Sequence, residues 1–185
     1  MLRASLRDIN KKDLEKIFRW RNQEHIRNVM FNNSKISWDE HVNWYTNLQE
    51  NKNKLSKIFI IDEMAYGVLN INIIDKEANI CSWGFYIGEN NSIKGAGLLL
   101  GYTSLDFIFK ELKIRKLCAE VIETNKISCN FHEKLGFKLD GKLRKHIKRT
   151  DRYEDIYIYS LFLEEWEESS NSIKTELEER FSSMN

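Results

Sequence analysis

Ser92-Ile93-Lys94-Gly95-Ala96-Gly97 stands between a strand-like run, Cys81 to Ile87, and an apolar helix-like run, Leu98 to Leu112. A second strand-like run, Lys116 to Glu123, leads into Asn125-Lys126-Ile127-Ser128-Cys129-Asn130-Phe131-His132-Glu133-Lys134-Leu135-Gly136-Phe137. Strand, glycine turn, helix, strand and helix in this order describe an α/β chain. A backbone that must come close to a charged ligand needs glycine, which has no Cβ in the way. The helix behind the glycines aims free N–H groups and a positive dipole end at the gap. A diphosphate suits such a place. A plain strand-to-helix turn also uses glycine, so Gly-x-Gly by itself is weak.

The rest of the chain frames this block. Ala4 and Leu6, with Leu2, alternate with polar residues as in a strand. Leu14, Ile17, Phe18 and Arg21 fall at helical spacing behind a cap at Asp8 or Asn10. Phe31 to Lys35 is a loop by composition, and Ser37-Trp38-Asp39-Glu40 is a capping box that opens a helix to about Gln49. Strands are expected at Lys57–Ile61, Ala65–Ile74 and Asn79–Ile87, the first two joined at Asp62-Glu63. Lys138–Ile147 and Tyr153–Leu163 form an antiparallel closing pair. We read residues 1–163 as one domain and 164–185 as an acidic helical tail. In the tail Ile173, Leu177 and Phe181 make a narrow apolar stripe, either docked on the body or offered to a second copy in a homodimer.

Composition narrows the function classes. At 42% apolar and 31% charged residues, the chain is a soluble globular type. A net charge of +1 gives no support to nucleic-acid binding. No apolar run is long enough to span a membrane, and no signal peptide is evident. Cys81, Cys118 and Cys129 are odd in number and lack Cys-x-x-Cys spacing, so they read as reduced residues of a cytoplasmic protein and not as a metal site. Proline is absent.

Asn125-x-x-Ser128-x-x-x-His132-x-Lys134-x-Gly136-Phe137, one strand after the glycine helix, resembles the acetyl-CoA-binding core of the GNAT N-acetyltransferases. The resemblance covers roughly residues 2–163. It implies a GNAT fold: a central mixed, mostly antiparallel twisted sheet flanked by helices, with a C-terminal helix. It implies acetyl-CoA as co-substrate and no metal. The diphosphate then lies on Lys94, Gly95, Ala96, Gly97 and Leu98, although the family's leading Gln or Arg is Ser92 here. A backbone N–H in Phe85-Tyr86-Ile87 polarises the thioester, and Asn125, Ser128 and the helix carrying Lys134 hold the pantetheine arm. At His132 the family usually carries Tyr, the acid toward the CoA thiolate. Histidine is able to donate a proton near neutral pH, and filling space is the alternative. Glu120, on the strand, is the candidate base for the amine, with Glu123 its competitor.

Trp20-Arg21-Asn22, Ile26-Arg27-x-x-Met30 and Glu40-His41 are in addition similar to the PseH subfamily, the UDP-4-amino-4,6-dideoxy-N-acetyl-β-L-altrosamine N-acetyltransferases of the pseudaminic acid pathway, which serves flagellin glycosylation. That resemblance implies a UDP-amino sugar as acceptor, bound by Arg21, Met30, Phe31, His41 and Trp44. Asn70 and Asn72, alternating on one strand face, are able to orient a polar acceptor. Arginine suits phosphate, and aromatic or Met side chains suit a flat base. Tryptophans at helical spacing are more often core, however. Two other readings stay open: a peptide acetyltransferase of the ribosomal-protein N-terminal type, and a GNAT-fold module that holds CoA without catalysis.

Overall fold

The computed structural model describes residues 3–182. Among these the elements are β1 (Ala4–Asp8), α1 (Leu14–Arg21), α2 (Glu24–Arg27), α3 (Trp38–Glu50), β2 (Lys54–Ile61), β3 (Met64–Asp75) and β4 (Ile80–Ile87). They continue with α4 (Ala96–Asp106), β5 (Lys116–Ile122), α5 (Lys126–Lys134), β6 (Lys138–Lys148), β7 (Tyr153–Phe162) and α6 (Leu163–Ser182). The strand order is β1-β2-β3-β4-β5-β7-β6. The β4–β5 pair is parallel, whereas β1–β2, β2–β3, β5–β7 and β6–β7 are antiparallel. This is the expected mixed, mostly antiparallel sheet. The short α2 was not expected, and Leu2 lies outside the described residues.

The chain divides into two compact units, one running to Asn72 plus Gly84–Ser104, the other Ile73–Trp83 plus Leu105 onward. In the first unit β2 alternates between two cores. Ile58 packs with Ile17, Trp20, Ile26 and Val68, whereas Phe59 and Ile61 pack with Tyr66, Ala96 and Leu100. The β2–β3 register slips between Phe59 and Ile60, where Phe59 faces Gly67 but Ile60 faces Ala65. Tyr66 is thus the extra residue of a bulge. Its carbonyl accepts from the N–H groups of both Gly88 and Glu89. Gly67 is required there, because a Cβ would stand 2.3 Å from the Tyr86 carbonyl oxygen. The β2–β3 turn uses Asp62 and Glu63 at φ 46° and 71°, the geometry of a tight two-residue hairpin. Helix α3 opens with the capping box the sequence announced: Glu40 N–H donates to Ser37 Oγ, and Ser37 N–H donates to Glu40 Oε2.

In the second unit β5 pairs with β7 along its whole length, and β7 with β6. The β4–β5 ladder covers Ile80–Ser82 against Lys116–Cys118. Helix α5 ends in a Schellman motif: Phe137 N–H donates to the His132 carbonyl and Gly136 N–H to that of Glu133. Gly136 takes φ 93°, which explains the Leu-Gly-Phe signature as a helix stop. Helix α6 buries Trp166, Ile173, Leu177 and Phe181 within the chain. The apolar stripe is therefore consumed by docking, and those side chains are not available to a second copy. At the sheet's end β6 is exposed along most of its length and broken by two register shifts, Leu139/Gly141 and Leu143/Ile147. Arg149 and Arg152 both pair with the buried Glu154 at 2.8 Å and close the β6–β7 hairpin.

Candidate active site

The first unit holds a cavity of about 250 Å³. Helix α1 contributes Ile17 and Arg21, one turn apart, and α3 contributes Glu40, His41 and Trp44 from one face. Met30 and Ile36 flank the loop between the helices, and Val68, Asn70 and Tyr86 come from strands. Five of the seven residues expected to meet the acceptor are thus brought together: Arg21, Met30, His41, Trp44 and Asn70. Phe31 and Asn72 do not line it, and both are solvent-exposed.

Charge and hydrogen bonding define what this cavity can hold. Arg21 Nη2 donates to the Asn32 carbonyl at 2.7 Å, whereas its Nη1 is buried without a partner among the described residues. Burial lowers the Arg21 pKa, and the neighbouring Tyr86 opposes that shift. The Tyr86 phenol is pushed upward by burial, so it is a neutral O–H group. His41 donates Nε2–H to the Leu14 carbonyl at 2.9 Å and stacks on Trp44 at 20°. Burial lowers its pKa and keeps it neutral at pH 7. Asn70 Oδ1 accepts from Ser56 Oγ at 2.6 Å, leaving the amide N–H groups as donors. Ser37 holds the Glu40 carboxylate below its usual pKa through hydrogen bonds from its backbone and side chain. The cavity thus sets an unpartnered guanidinium nitrogen, which suits an anion, against the Glu40 carboxylate, which suits a donor or a cation, beside neutral hydrogen-bond donors and a stacked ring pair.

The glycine turn lies in the same unit. Gly95 has φ 99°, and α4 starts at Ala96 with no acidic residue in its first turn. A Cβ at Gly97 would meet no protein atom within 4 Å. The open space beside free helix N–H groups fits a diphosphate. Phe85, Tyr86 and Ile87 end β4 in this unit.

The second unit contains the other expected residues. Asn125 caps α5, its Oδ1 accepting from Ser128 N–H at 3.2 Å. Lys134 pairs with Glu176 of α6 at 2.7 Å. Glu120 is exposed on β5, and Glu123 accepts from Tyr157 Oη at 2.9 Å. His132 is 3% exposed. Its Nδ1–H donates to the Ser128 carbonyl at 2.7 Å, and its Nε2 accepts from Trp83 Nε1–H at 3.2 Å. The ring stacks on Tyr159 and meets Phe137 edge-on. Burial pushes its pKa down to about 4.

Residues 3–138 match the acetyltransferase (GNAT) domain. The chain belongs to the GNAT family. It is an N-acetyltransferase with acetyl-CoA as co-substrate. Among curated proteins it is similar to the acetyltransferase PseH of Campylobacter jejuni, 28% identical over 71% of this chain and 81% of that one. It is also similar to the uncharacterized N-acetyltransferase p20 of Bacillus licheniformis, 28% identical over 64% and 67%. Among solved structures, spermidine N-acetyltransferase from Vibrio cholerae, in complex with CoA and spermine, superposes with a TM-score of 0.82. The identity is 20%, over 88% of this chain and 97% of that one, so the likeness is one of fold.

Within this GNAT enzyme the surroundings of His132 argue against the acid role expected of it. Both ring nitrogens are committed to internal partners, and a pKa of about 4 keeps the ring neutral near pH 7, its one proton held on Nδ1 by the Ser128 carbonyl. It occupies the helix position that contacts the residue after the glycine of a Schellman stop, here Phe137. Lys134 likewise serves an ion pair between helices. Tyr86, expected on the co-substrate side, lines the cavity with Arg21 and Asn70. Glu40, legible as a cap and as part of the Glu40-His41 signal, was not expected in the lining; its place beside His41 on the helix turn that carries Trp44 is the signal that it shares their face.

Proposed function

We propose that this enzyme transfers the acetyl group of acetyl-CoA to the 4-amino group of a UDP-linked amino-dideoxy sugar, as in the pseudaminic acid pathway. The buried, unpartnered Arg21 Nη1 carries this reading. A nucleotide sugar brings phosphate oxygens that a guanidinium binds bidentately, and a flat base for the Trp44–His41 stack. A polyamine would find one carboxylate, Glu40, in this lining but would bring its other cations toward Arg21, an unfavourable pairing at short range. The likeness to PseH supports the sugar reading independently.

In the reaction the amine nitrogen attacks the thioester carbon, and the carbonyl oxygen gathers charge. A backbone N–H at Phe85–Ile87 stabilises that oxyanion, a contribution of about 3–4 kcal/mol for one such donor in other enzymes. The C–S bond then breaks. The amine loses its proton to solvent, and the thiolate takes one from solvent. Mass spectrometry after incubation with acetyl-CoA and UDP-4-amino-dideoxy sugars tests this, with spermidine and an N-terminal peptide as parallel acceptors. A mass gain of one acetyl on the sugar nucleotide is expected. Acetylation of spermidine or peptide alone would overturn the proposal, and no product with any acceptor in a single turnover would point to a CoA-holding module.

A further inference from the structure

We infer that Asn22 is a positioning residue for the acceptor cavity, because its side-chain amide clamps the loop whose ends, Met30 and Ile36, form one wall. Asn22 Nδ2 donates to the Ile36 carbonyl at 3.0 Å, and Ile36 N–H donates to Asn22 Oδ1 at 2.9 Å. One amide thus pairs with both polar groups of one backbone residue, as a strand neighbour would. The loop needs such a partner. Residues 31–35 lie outside helix and strand, and all five are exposed, so apolar burial does not set their course. Neighbouring side chains add to the clamp: Arg21 Nη2 reaches the Asn32 carbonyl, and Arg27 Nη1 reaches that of Asn33 at 2.9 Å. Arg27 Nε in turn donates to the Asn22 carbonyl at 3.2 Å.

The clamped residue sits one position before Ser37, the cap of α3. Fixing Ile36 therefore also fixes where α3 begins, and with it Glu40 and His41. Asn22 does not line the cavity. It acts through Ile36, and Asn is suited because it offers a donor and an acceptor side by side. Aspartate keeps only the acceptor and would face the Ile36 carbonyl with negative charge.

This inference rests on the cavity being the acceptor site, and the test separates the two. Hydrogen exchange of the Ile36 amide and steady-state kinetics are measured for wild type, Asn22→Ala and Asn22→Asp. For Asn22→Ala we expect roughly tenfold faster exchange at Ile36, as loss of about one hydrogen bond's free energy implies. Amides of β2 and β3 should be unchanged. With the UDP-4-amino sugar as probe, acceptor KM should rise about tenfold while acetyl-CoA KM and kcat stay near wild type. Asn22→Asp should fall between, since Ile36 N–H keeps its acceptor; it also serves if the Ala variant does not fold. Unchanged exchange at Ile36, or equal loss toward both substrates, would overturn the inference. The exchange measurement does not depend on the acceptor's identity, so a failed sugar assay counts against the proposed function and not against the clamp.

Discussion

His132 has a consequence for acid stability. Its pKa is about 4 in the folded chain and 6.5 when unfolded. Between those values the unfolded state binds the extra proton, so acidification favours unfolding. Stability is full above pH 6.5 and declines as pH falls toward 4, by up to roughly 3 kcal/mol at about 1.4 kcal/mol per unit. His132→Met should remove this part of the acid dependence while costing stability at pH 7, where Trp83 Nε1–H loses its acceptor. Urea midpoints at pH 7 and 4.5 for both proteins provide the check; equal acid losses would show that His132 does not titrate this way. The same variant should keep the alkaline limb of the wild-type kcat profile. Arg21 supplies the second prediction at this scale. Arg21→Ala should raise acceptor KM, and Arg21→Lys should restore only part of it, because a point charge lacks the fork. Acetyl-CoA KM should stay near wild type. Normal acceptor kinetics in the Ala variant would remove Arg21 from the site.

Two helices carry the predictions at the level of elements. If the N-terminus of α4 binds the CoA diphosphate through backbone groups, bulk at Gly97 should act on the ligand and not on the fold. Gly97→Leu should abolish CoA binding in calorimetry while the far-UV circular dichroism is retained, since the new Cβ meets no protein atom. Unchanged affinity would move the diphosphate elsewhere. Helix α6 is the opposite case, holding to the chain by side-chain burial. Leu177→Ala should cost about 2–5 kcal/mol in urea unfolding, the usual range for a buried leucine. A loss below 0.5 kcal/mol would mean that the helix docks loosely.

At the scale of the whole molecule, the sequence was most legible where one local rule decided the outcome. The Ser37–Glu40 capping box, the Asp62-Glu63 turn and the glycine turn before α4 depend on a few adjacent residues, and they form as expected. The lining of the cavity between α1 and α3 was legible in part, because Arg21, Met30 and His41 sit in short ordered signals. What escaped was the direction of side chains. Nothing local to Asn125–Phe137 says that His132 turns inward to Trp83 and Tyr159, because that depends on strands distant in sequence. Asn22 escaped for the same reason, since its partner Ile36 is fourteen positions away. The Ile173–Leu177–Phe181 stripe allowed two readings until burial within the chain decided between them.

The outer strand β6 leaves one row of peptide groups open to water, the arrangement that lets chains stack into fibrils. Many proteins block such a row with proline, and this chain has none. Its protection is instead mechanical and coulombic. Two bulges and Lys145 at φ 50° break the straight line that an incoming strand would need. Arg144, Lys145 and Lys148 meet an identical strand with like charge. That second guard weakens with ionic strength, whereas the bulges do not. Arg144→Thr together with Lys148→Thr should therefore lower the concentration at which the enzyme starts to aggregate, most visibly in low salt, where the wild-type charges repel best.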